Sequence, residues 1–271
     1  MDKISFIILT WNSEKVIVPC LESIFTIHEQ KAEIIIIDNG STDKTAALID
    51  DLTAGHPDFE IRKIMLERNY GTTISRNIGI EKASADSNYI CILDSDTVIN
   101  QKAVTELISI LKTGASNAIT GPNMVNLDGV EQVSAKRIPT AALKFCKAFP
   151  VRRIQEIGER NERYEFSDGK RCYPVGYLIS ACWMMKKEVV KKLGPLDEKI
   201  FYSPEDVEYC VRAWKNGLRV LYCPEAKIIH ATQRISKKKL ISKHNWEHLK
   251  GLVYFFNKYG LFLSSKKIIC K

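Results

Sequence analysis

The chain has 271 residues, 45% of them apolar and 27% charged, and a formal net charge of +8. That composition excludes a disordered or collagen-like chain and suits one large or two small soluble domains with a substantial core. The charge is uneven: from Gln233 to Lys271 there are ten Lys or Arg and one acidic residue, whereas the preceding 232 residues carry 30 basic and 31 acidic ones, so the near-neutral body is not expected to bind nucleic acid.

Eight cysteines are scattered, without a C-x-x-C pair and several inside apolar runs. They read as reduced core residues of a reducing compartment, not as a disulfide or zinc framework. No run reaches the roughly 18 apolar residues that a membrane span requires. The N-terminus enters a strand pattern with no basic region ahead of an apolar stretch, so a signal peptide is not expected and a cytoplasmic setting is.

In chain order, Ile4 to Leu9 is a buried-strand run, followed by Thr10-Trp11-Asn12-Ser13-Glu14 and by Val16, Cys20, Leu21 and Ile24 at helical spacing. Ser13 is the expected N-cap, and Pro19 falls in the first turns, where distortion is expected. The pattern repeats with Ile34 to Ile37, then Asp38-Asn39-Gly40-Ser41-Thr42-Asp43 and a helix over about 44–52. A third strand over 61–66 leads through Asn69-Tyr70-Gly71 to a helix carrying Ile74, Ile78 and Ile80. The fourth strand, Ile90 to Leu93, ends in Asp94-Ser95-Asp96. Strands alternating with helices predict a mainly parallel sheet covered on both faces, with ligands beyond the carboxyl ends of the strands.

Two carboxylates one residue apart at such a strand end can converge on a divalent cation, since Mg²⁺ and Mn²⁺ take oxygen ligands; an Asp-Ser-Asp turn with no ligand is the other reading of the same residues. Neither the G-x-G-x-x-G loop of dinucleotide-binding domains nor a P-loop is present. A helix over 103–111, a strand over 118–120 and the turn Gly121-Pro122-Asn123 come next. From Lys136 to Lys170 the regular pattern fades into an irregular stretch, read either as a functional lid or as a solvated, partly helical excursion.

Ser203-Pro204-Glu205-Asp206 opens a helix with Val207, Cys210, Val211 and Trp214 on one face, Ser203 as N-cap and Pro204 as first helical residue. Acids there either complement the helix dipole or do chemistry; the same dipole keeps Asp206 ionised as a proton acceptor. His230 follows the apolar run Ile228-Ile229 at a strand end, as a structural residue or a neutral ligand. In the tail, Lys237-Lys238-Lys239 precedes a helix with Trp246, Leu249, Val253 and Phe256 on one face. That face suits either an anionic membrane surface or packing on the domain or in a homodimer.

In this order, Thr10-Trp11-Asn12, Asp38-Asn39-Gly40-Ser41-Thr42-Asp43, Asn69-Tyr70-Gly71 with Arg76-Asn77, Asp94-Ser95-Asp96, Gly194-Pro195-Leu196-Asp197-Glu198, Pro204-Glu205-Asp206-Val207-Glu208 with Arg212, and His230 resemble the family-2 inverting glycosyltransferases of GT-A fold, and most closely their bacterial rhamnosyltransferase-like members. The resemblance covers roughly residues 4–232. It implies an α/β fold, GT-A (Rossmann-like), with a mixed, mainly parallel central sheet flanked by helices. Residues 1–232 would form the catalytic domain, with a nucleotide-sugar half over about 1–100 and an acceptor half over about 101–232, followed by a C-terminal helical extension over 233–271.

The activity so implied is metal-dependent transfer of a sugar from a nucleotide diphosphate sugar, dTDP-rhamnose or a UDP-sugar, to a hydroxyl of a glycan or lipid-linked saccharide. By the same resemblance Thr10, Trp11, Asn12, Glu14, Asp38, Asn69, Gly71, Arg76, Asp94 and Ser95 hold the nucleotide sugar. Asp96, His230 and Asp94 hold Mn²⁺ or Mg²⁺, and Asp206 is the base with Glu205 beside it. Trp11 stands where the family often has Tyr and Asn39 where a second Asp is common, which leaves the nucleobase open. A non-catalytic nucleotide-sugar-binding or scaffold protein on the same fold is the competing class.

Overall fold

Three strand–helix units and a fourth strand build the first half of a central sheet: β1 (Lys3–Thr10), α1 (Ile17–Phe25), β2 (Lys31–Asp38), α2 (Thr45–Ala54), β3 (Glu60–Met65), α3 (Thr72–Glu81) and β4 (Tyr89–Asp94). These strands lie side by side as β3-β2-β1-β4, all parallel. The isoleucine runs explain why. Ile4, Phe6 and Ile8 of β1 and Ile34 and Ile36 of β2 enter one core with α1, while Ile7, Ile35 and Ile37 enter a second core on the other face. A strand buried on both faces has no solvent side, hence the continuous apolar run. The computed structural model describes residues 1–166, 169–232, 243–265 and 268.

The second half is mixed. It comprises β5 (Thr97–Val98), α4 (Gln101–Lys112), β6 (Asn117–Val125), β7 (Glu131–Gln132), β8 (Ala135–Lys136), α5 (Ala141–Ala148), α6 (Arg152–Glu162), β9 (Tyr173–Pro174), β10 (Tyr177–Leu178), β11 (Cys182–Lys186), α7 (Lys187–Leu193), α8 (Glu205–Lys215), β12 (Arg219–His230) and α9 (Lys243–Tyr259). β11 runs antiparallel between β4 and β6, and β12 runs parallel to β6. The short β5 pairs with the far end of β12, setting His230 opposite Thr97.

Several local expectations are corrected. Ser13 does not cap α1, which has no side-chain cap; the carbonyl of Ser13 closes the turn to Val16 and Ile17 and its hydroxyl points to Ser95. Pro19 causes no break, because it lies in the first turn, where its missing N–H has no intrahelical partner to lose. Gly121-Pro122-Asn123 is not a turn but the middle of β6. There Pro122 pairs with Cys223, next to a bulge where β12 skips to Lys227, the kind of irregularity that admits a proline into a ladder.

The stretch from Lys136 to Lys170 contains two packed helices, α5 and α6, with Thr140 capping α5 through the amide of Leu143. Sequence pattern gives no more than a partly helical excursion here, because their charged residues dilute the apolar period. At the second helix the expected cap also shifts. Ser203 makes no cap bond, and Pro204 is itself the cap residue at φ −100°, ψ 64°, so α8 begins at Glu205. Lys237-Lys238-Lys239 lies outside the described residues.

α9 packs on the body. Phe255 and Phe256 join the same core as Tyr209 and Val211 of α8, whereas Trp246, Leu249 and Val253 are exposed. Gly251 lets the helix approach closely, since a Cβ there would run into the carbonyl of Ser203. Lys258 and Tyr259 bond the buried Glu208, and Tyr254 and Lys258 bond Asp197. Among the described residues no helix is long and apolar enough to cross a membrane, and Cys20, Cys91, Cys182, Cys210 and Cys223 are buried free thiols.

Candidate active site

A cavity of about 630 Å³ opens beyond the carboxyl ends of β1, β2 and β4. It is lined by Trp11, Asn69, Gly71, Arg76, Asp94, Ser95, Asp96, Glu205, Asp206 and His230, the greater part of the residues expected at the site. Acids more than a hundred residues apart in sequence thus share one volume.

Asp94, Asp96 and His230 converge, their ligand atoms all within 4.8 Å of one another. Backbone pairing causes the convergence. The chain turns at Ser95-Asp96 directly into β5, Thr97 Oγ1 donates to the carbonyl of Asp94 at 2.6 Å, and Ala231 N–H donates to the carbonyl of Asp96 at 2.8 Å. His230 Nδ1 lies 2.8 Å from Gln132 Oε1, while Gln132 Nε2 donates to the His230 carbonyl at 2.8 Å. A histidine whose Nδ1–H is held by an amide oxygen turns the lone pair of Nε2 outward; here Nε2 faces Asp96 Oδ1 at 3.4 Å. Burial pulls the imidazole pKa down, but Asp96 and Asp94 outweigh it and the net shift is upward. Burial raises the Asp94 carboxyl above the ordinary aspartate range, opposed by Arg76 and reinforced by Asp96. Two carboxylates and one imidazole form a donor set suited to Mn²⁺, and with more water to Mg²⁺.

Arg76 ties this cluster to the α8 acids. It is 2% exposed, donating from Nη2 to Asp94 Oδ1 at 2.6 Å and from Nη1 to Glu205 Oε1 at 3.0 Å and Ser180 Oγ at 2.7 Å. Glu205 is pushed up to about 8, first by burial and then by the charge of Asp206, with Arg76 pulling the other way. Asp206 is also raised by burial; the amide of Val207, at 2.8 Å, and the charges of Lys136, Lys144 and Arg76 oppose the rise. A desolvated carboxylate of raised pKa is a stronger base than a solvated one.

Four expected nucleotide-sugar residues do not line the cavity. Thr10 and Asp38 are buried, and Asp38 Oδ1 accepts the Ser41 amide at 2.9 Å. Asn12, at φ 49°, accepts the Thr42 amide and donates its own amide to Ser41 Oγ. Glu14 accepts from the Lys44 amide at 3.3 Å. These contacts shape the loops of the rim. Asn39 uses both ends of its amide, donating to Asn69 Oδ1 and the Gly71 carbonyl and accepting from Tyr70 N–H; an aspartate could not donate. Gly71, at φ +87°, sits where a Cβ would strike Phe201.

Sequence reasoning missed Gln132, Ser180, Tyr202 and Glu247. Gln132 comes from a two-residue strand with no periodic signal, and Ser180 follows β10 as a small polar residue without a motif. Tyr202 and Glu247 form part of the cavity wall beside Asp206. Glu247 arrives there only because α9 is clamped to α8, a tertiary contact without local signature.

A family model described as Glycosyl transferase family 2 matches residues 5–194. Similar proteins include the dTDP-rhamnosyl transferase RfbF of Shigella flexneri, 26% identical over 228 residues, covering 83% of this chain and 68% of that protein. The N-acetylglucosaminyl-diphospho-decaprenol L-rhamnosyltransferase of Mycobacterium tuberculosis is 24% identical over 221 residues, covering 78% and 70%. The crystal structure of GalNAc-T7 with UDP, GalNAc and Mn²⁺ superposes at a TM-score of 0.70 with 16% identity, over 95% of this chain and 48% of that one. The architecture is that of the GT-A fold, mixed and mainly parallel, with helices on both faces.

Proposed function

The chain belongs to glycosyl transferase family 2, and from that premise we propose that it transfers a sugar, with inversion, from a nucleotide diphosphate sugar to a hydroxyl of a glycan or lipid-linked saccharide. The observation that carries the proposal is the shared cavity: the Asp94, Asp96 and His230 cluster and Asp206 line one space, with Arg76 between them. The rhamnosyltransferase relatives support dTDP-rhamnose as donor, and a UDP-sugar is the alternative. Enzyme membership displaces the scaffold reading.

Trp11, 38% exposed at the cavity wall, offers an aromatic face for the nucleobase. Asp94, Asp96 and His230 would hold a divalent cation, which when bound supplies positive charge against the diphosphate leaving group. The polypeptide does the rest. Arg76 holds Asp94 and Glu205 in fixed relation. Asp206 accepts the proton of the acceptor hydroxyl as its oxygen attacks the anomeric carbon from the side opposite the leaving diphosphate, which inverts configuration.

The acceptor would enter between Tyr202 and Glu247, at the side of the cavity built by α8 and α9. We place the enzyme in the cytoplasm, with lipid-linked acceptors met at the cytoplasmic face of the membrane. The exposed Trp246, Leu249 and Val253 support either bilayer contact or a homodimer through residues 233–271. A panel of dTDP-, UDP- and GDP-sugars assayed for nucleoside diphosphate release, with and without Mn²⁺, tests the proposal: release from at least one donor that EDTA abolishes is the expected result, and no release from any would overturn it.

A further inference from the structure

We infer that the α5–α6 hairpin is a docking surface for an anionic lipid bilayer. The segment breaks the usual partition of side chains. Phe145 on α5 is 66% exposed, Val151 in the turn between the helices 46% and Ile157 on α6 57%. The rings of Phe149 and Phe145 meet at a 53° tilt with centroids 5.7 Å apart, so two aromatics act as one apolar surface. The Ala141 and Ala142 amides donate to the carbonyls of Leu261 and Phe262, which joins the exposed Phe262 and Leu263 to the start of α5. Exposed apolar side chains gathered on one hairpin mark an interaction site in a soluble protein.

The charge around the patch identifies the partner. From Lys136 to Arg163 there are eight basic and three acidic residues, leaving 22 basic and 28 acidic ones in the rest of 1–232. Outside this hairpin the body is thus net acidic in sum. Arg152 and Arg153, both exposed, follow Val151 directly and put two cations at the turn. Exposed apolar side chains with cations between them match a bilayer, where side chains enter the acyl boundary and arginines meet anionic headgroups. A two-fold dimer through the same patch would set these arginines against their own copies.

The hairpin is also rigidly tied to the site. Across the hairpin Lys144 and Lys147 of α5 pair with Glu162 of α6, which is 2% exposed, and the charges of Lys136 and Lys144 reach Asp206. A bilayer bound at the hairpin would bring a lipid-linked hydroxyl to the acceptor side, which is where this inference rests on the transferase proposal; binding itself does not.

The test uses the full chain with vesicles of phosphatidylcholine alone or with phosphatidylglycerol, followed by co-sedimentation at low and high salt. Salt-sensitive pelleting with the anionic vesicles is expected, falling about tenfold or more in Phe145→Glu/Val151→Glu. The thermal midpoint and nucleotide binding of that variant should match the parent, since both residues are exposed. Equal pelleting of parent and variant, or no pelleting of the parent, overturns the inference. So does a parent dimer that the variant converts to monomer by light scattering. None of these outcomes depends on turnover, so the transferase proposal stands or falls separately.

Discussion

Arg76 Nη1 lies 3.0 Å from Glu205 Oε1, with its other terminal nitrogen on Asp94. One guanidinium therefore serves a carboxylate of the cation cluster and a carboxylate beside the base. Arg76→Met leaves the buried Glu205 and the partly exposed Asp94 without their cation, and removing one partner of a buried pair such as Arg76–Glu205 costs about 3–5 kcal/mol. The denaturation midpoint should fall accordingly. Arg76→Lys keeps the charge but loses the fork, so it should fold and show a pH–rate profile whose acid limb lies higher than the parent's. An unshifted limb in Arg76→Lys would separate Arg76 from the base.

Asp206→Asn should lower turnover by about 10²–10⁴-fold with donor binding retained, the range for loss of a positioned base. The pH dependence has a definite sign. Asp206 must be ionised to accept a proton, and burial raises its pKa, so kcat should fall with decreasing pH through a value above the ordinary aspartate range. Calorimetric titration with nucleoside diphosphate alongside kcat separates the two effects, and near-normal turnover would remove Asp206 from the mechanism.

The cation cluster makes a prediction through a residue that would touch no ligand. Gln132 holds His230 Nδ1, and removing such a support typically weakens metal affinity about 10–100-fold. Gln132→Leu should need correspondingly more Mn²⁺ for half-maximal rate, with the rate at saturation largely restored. Asp96→Asn should not be rescued by added Mn²⁺. A Gln132→Leu curve superimposing on the parent's would contradict the role given to the amide.

The strands and the acids at their carboxyl ends were legible in sequence because each signal is local: an apolar run closed by polar residues, and Asp94 and Asp96 one residue apart. His230 was legible as a strand-end histidine, yet what delivers it to Asp96 is the β12–β5 pairing across 130 residues. Gln132 and Glu247 were not legible, since both act through tertiary contacts. Of α5 and α6 the sequence shows no more than a partly helical excursion, because their charges obscure the apolar period, and the capping pattern at Ser203 does not reveal the backbone dihedrals that follow it.

Acid stability should trace to the opposite end of the sheet. Burial alone would raise Glu33, but hydrogen bonds from Ser5, Ser84 and Ser87 outweigh it and take the carboxyl to about 2. Glu162, among Lys144, Lys147 and Lys136, is likewise lowered to about 2 against its burial. A group depressed in the folded state contributes stability above its unfolded pKa and loses it as pH falls through the folded one. The urea midpoint should therefore drop steeply from about pH 4.5 toward pH 2, and Glu33→Gln should be less stable at pH 7 with a shallower acid decline. Parallel curves for the two proteins would exclude Glu33 as a source.

The last prediction concerns α9. Deleting residues 243–271 removes Phe255 and Phe256, which are 0% and 7% exposed, and uncovers the core they pack against. It also strips Lys258 and Tyr259 from Glu208, and Tyr254 and Lys258 from Asp197. Burying a Phe contributes about 1.5–3 kcal/mol, so the two aromatics alone approach the net stability of many domains; the truncated chain should be insoluble or molten. Glu247→Ala offers the contrast, because it alters the cavity wall and leaves the clamp intact. It should keep the parent's melting temperature and its donor hydrolysis by water, yet lose most transfer to octyl glycosides. A truncated chain that melts cooperatively at the parent's temperature would show that α9 is dispensable to the fold, and unchanged transfer by Glu247→Ala would move the acceptor away from this helix.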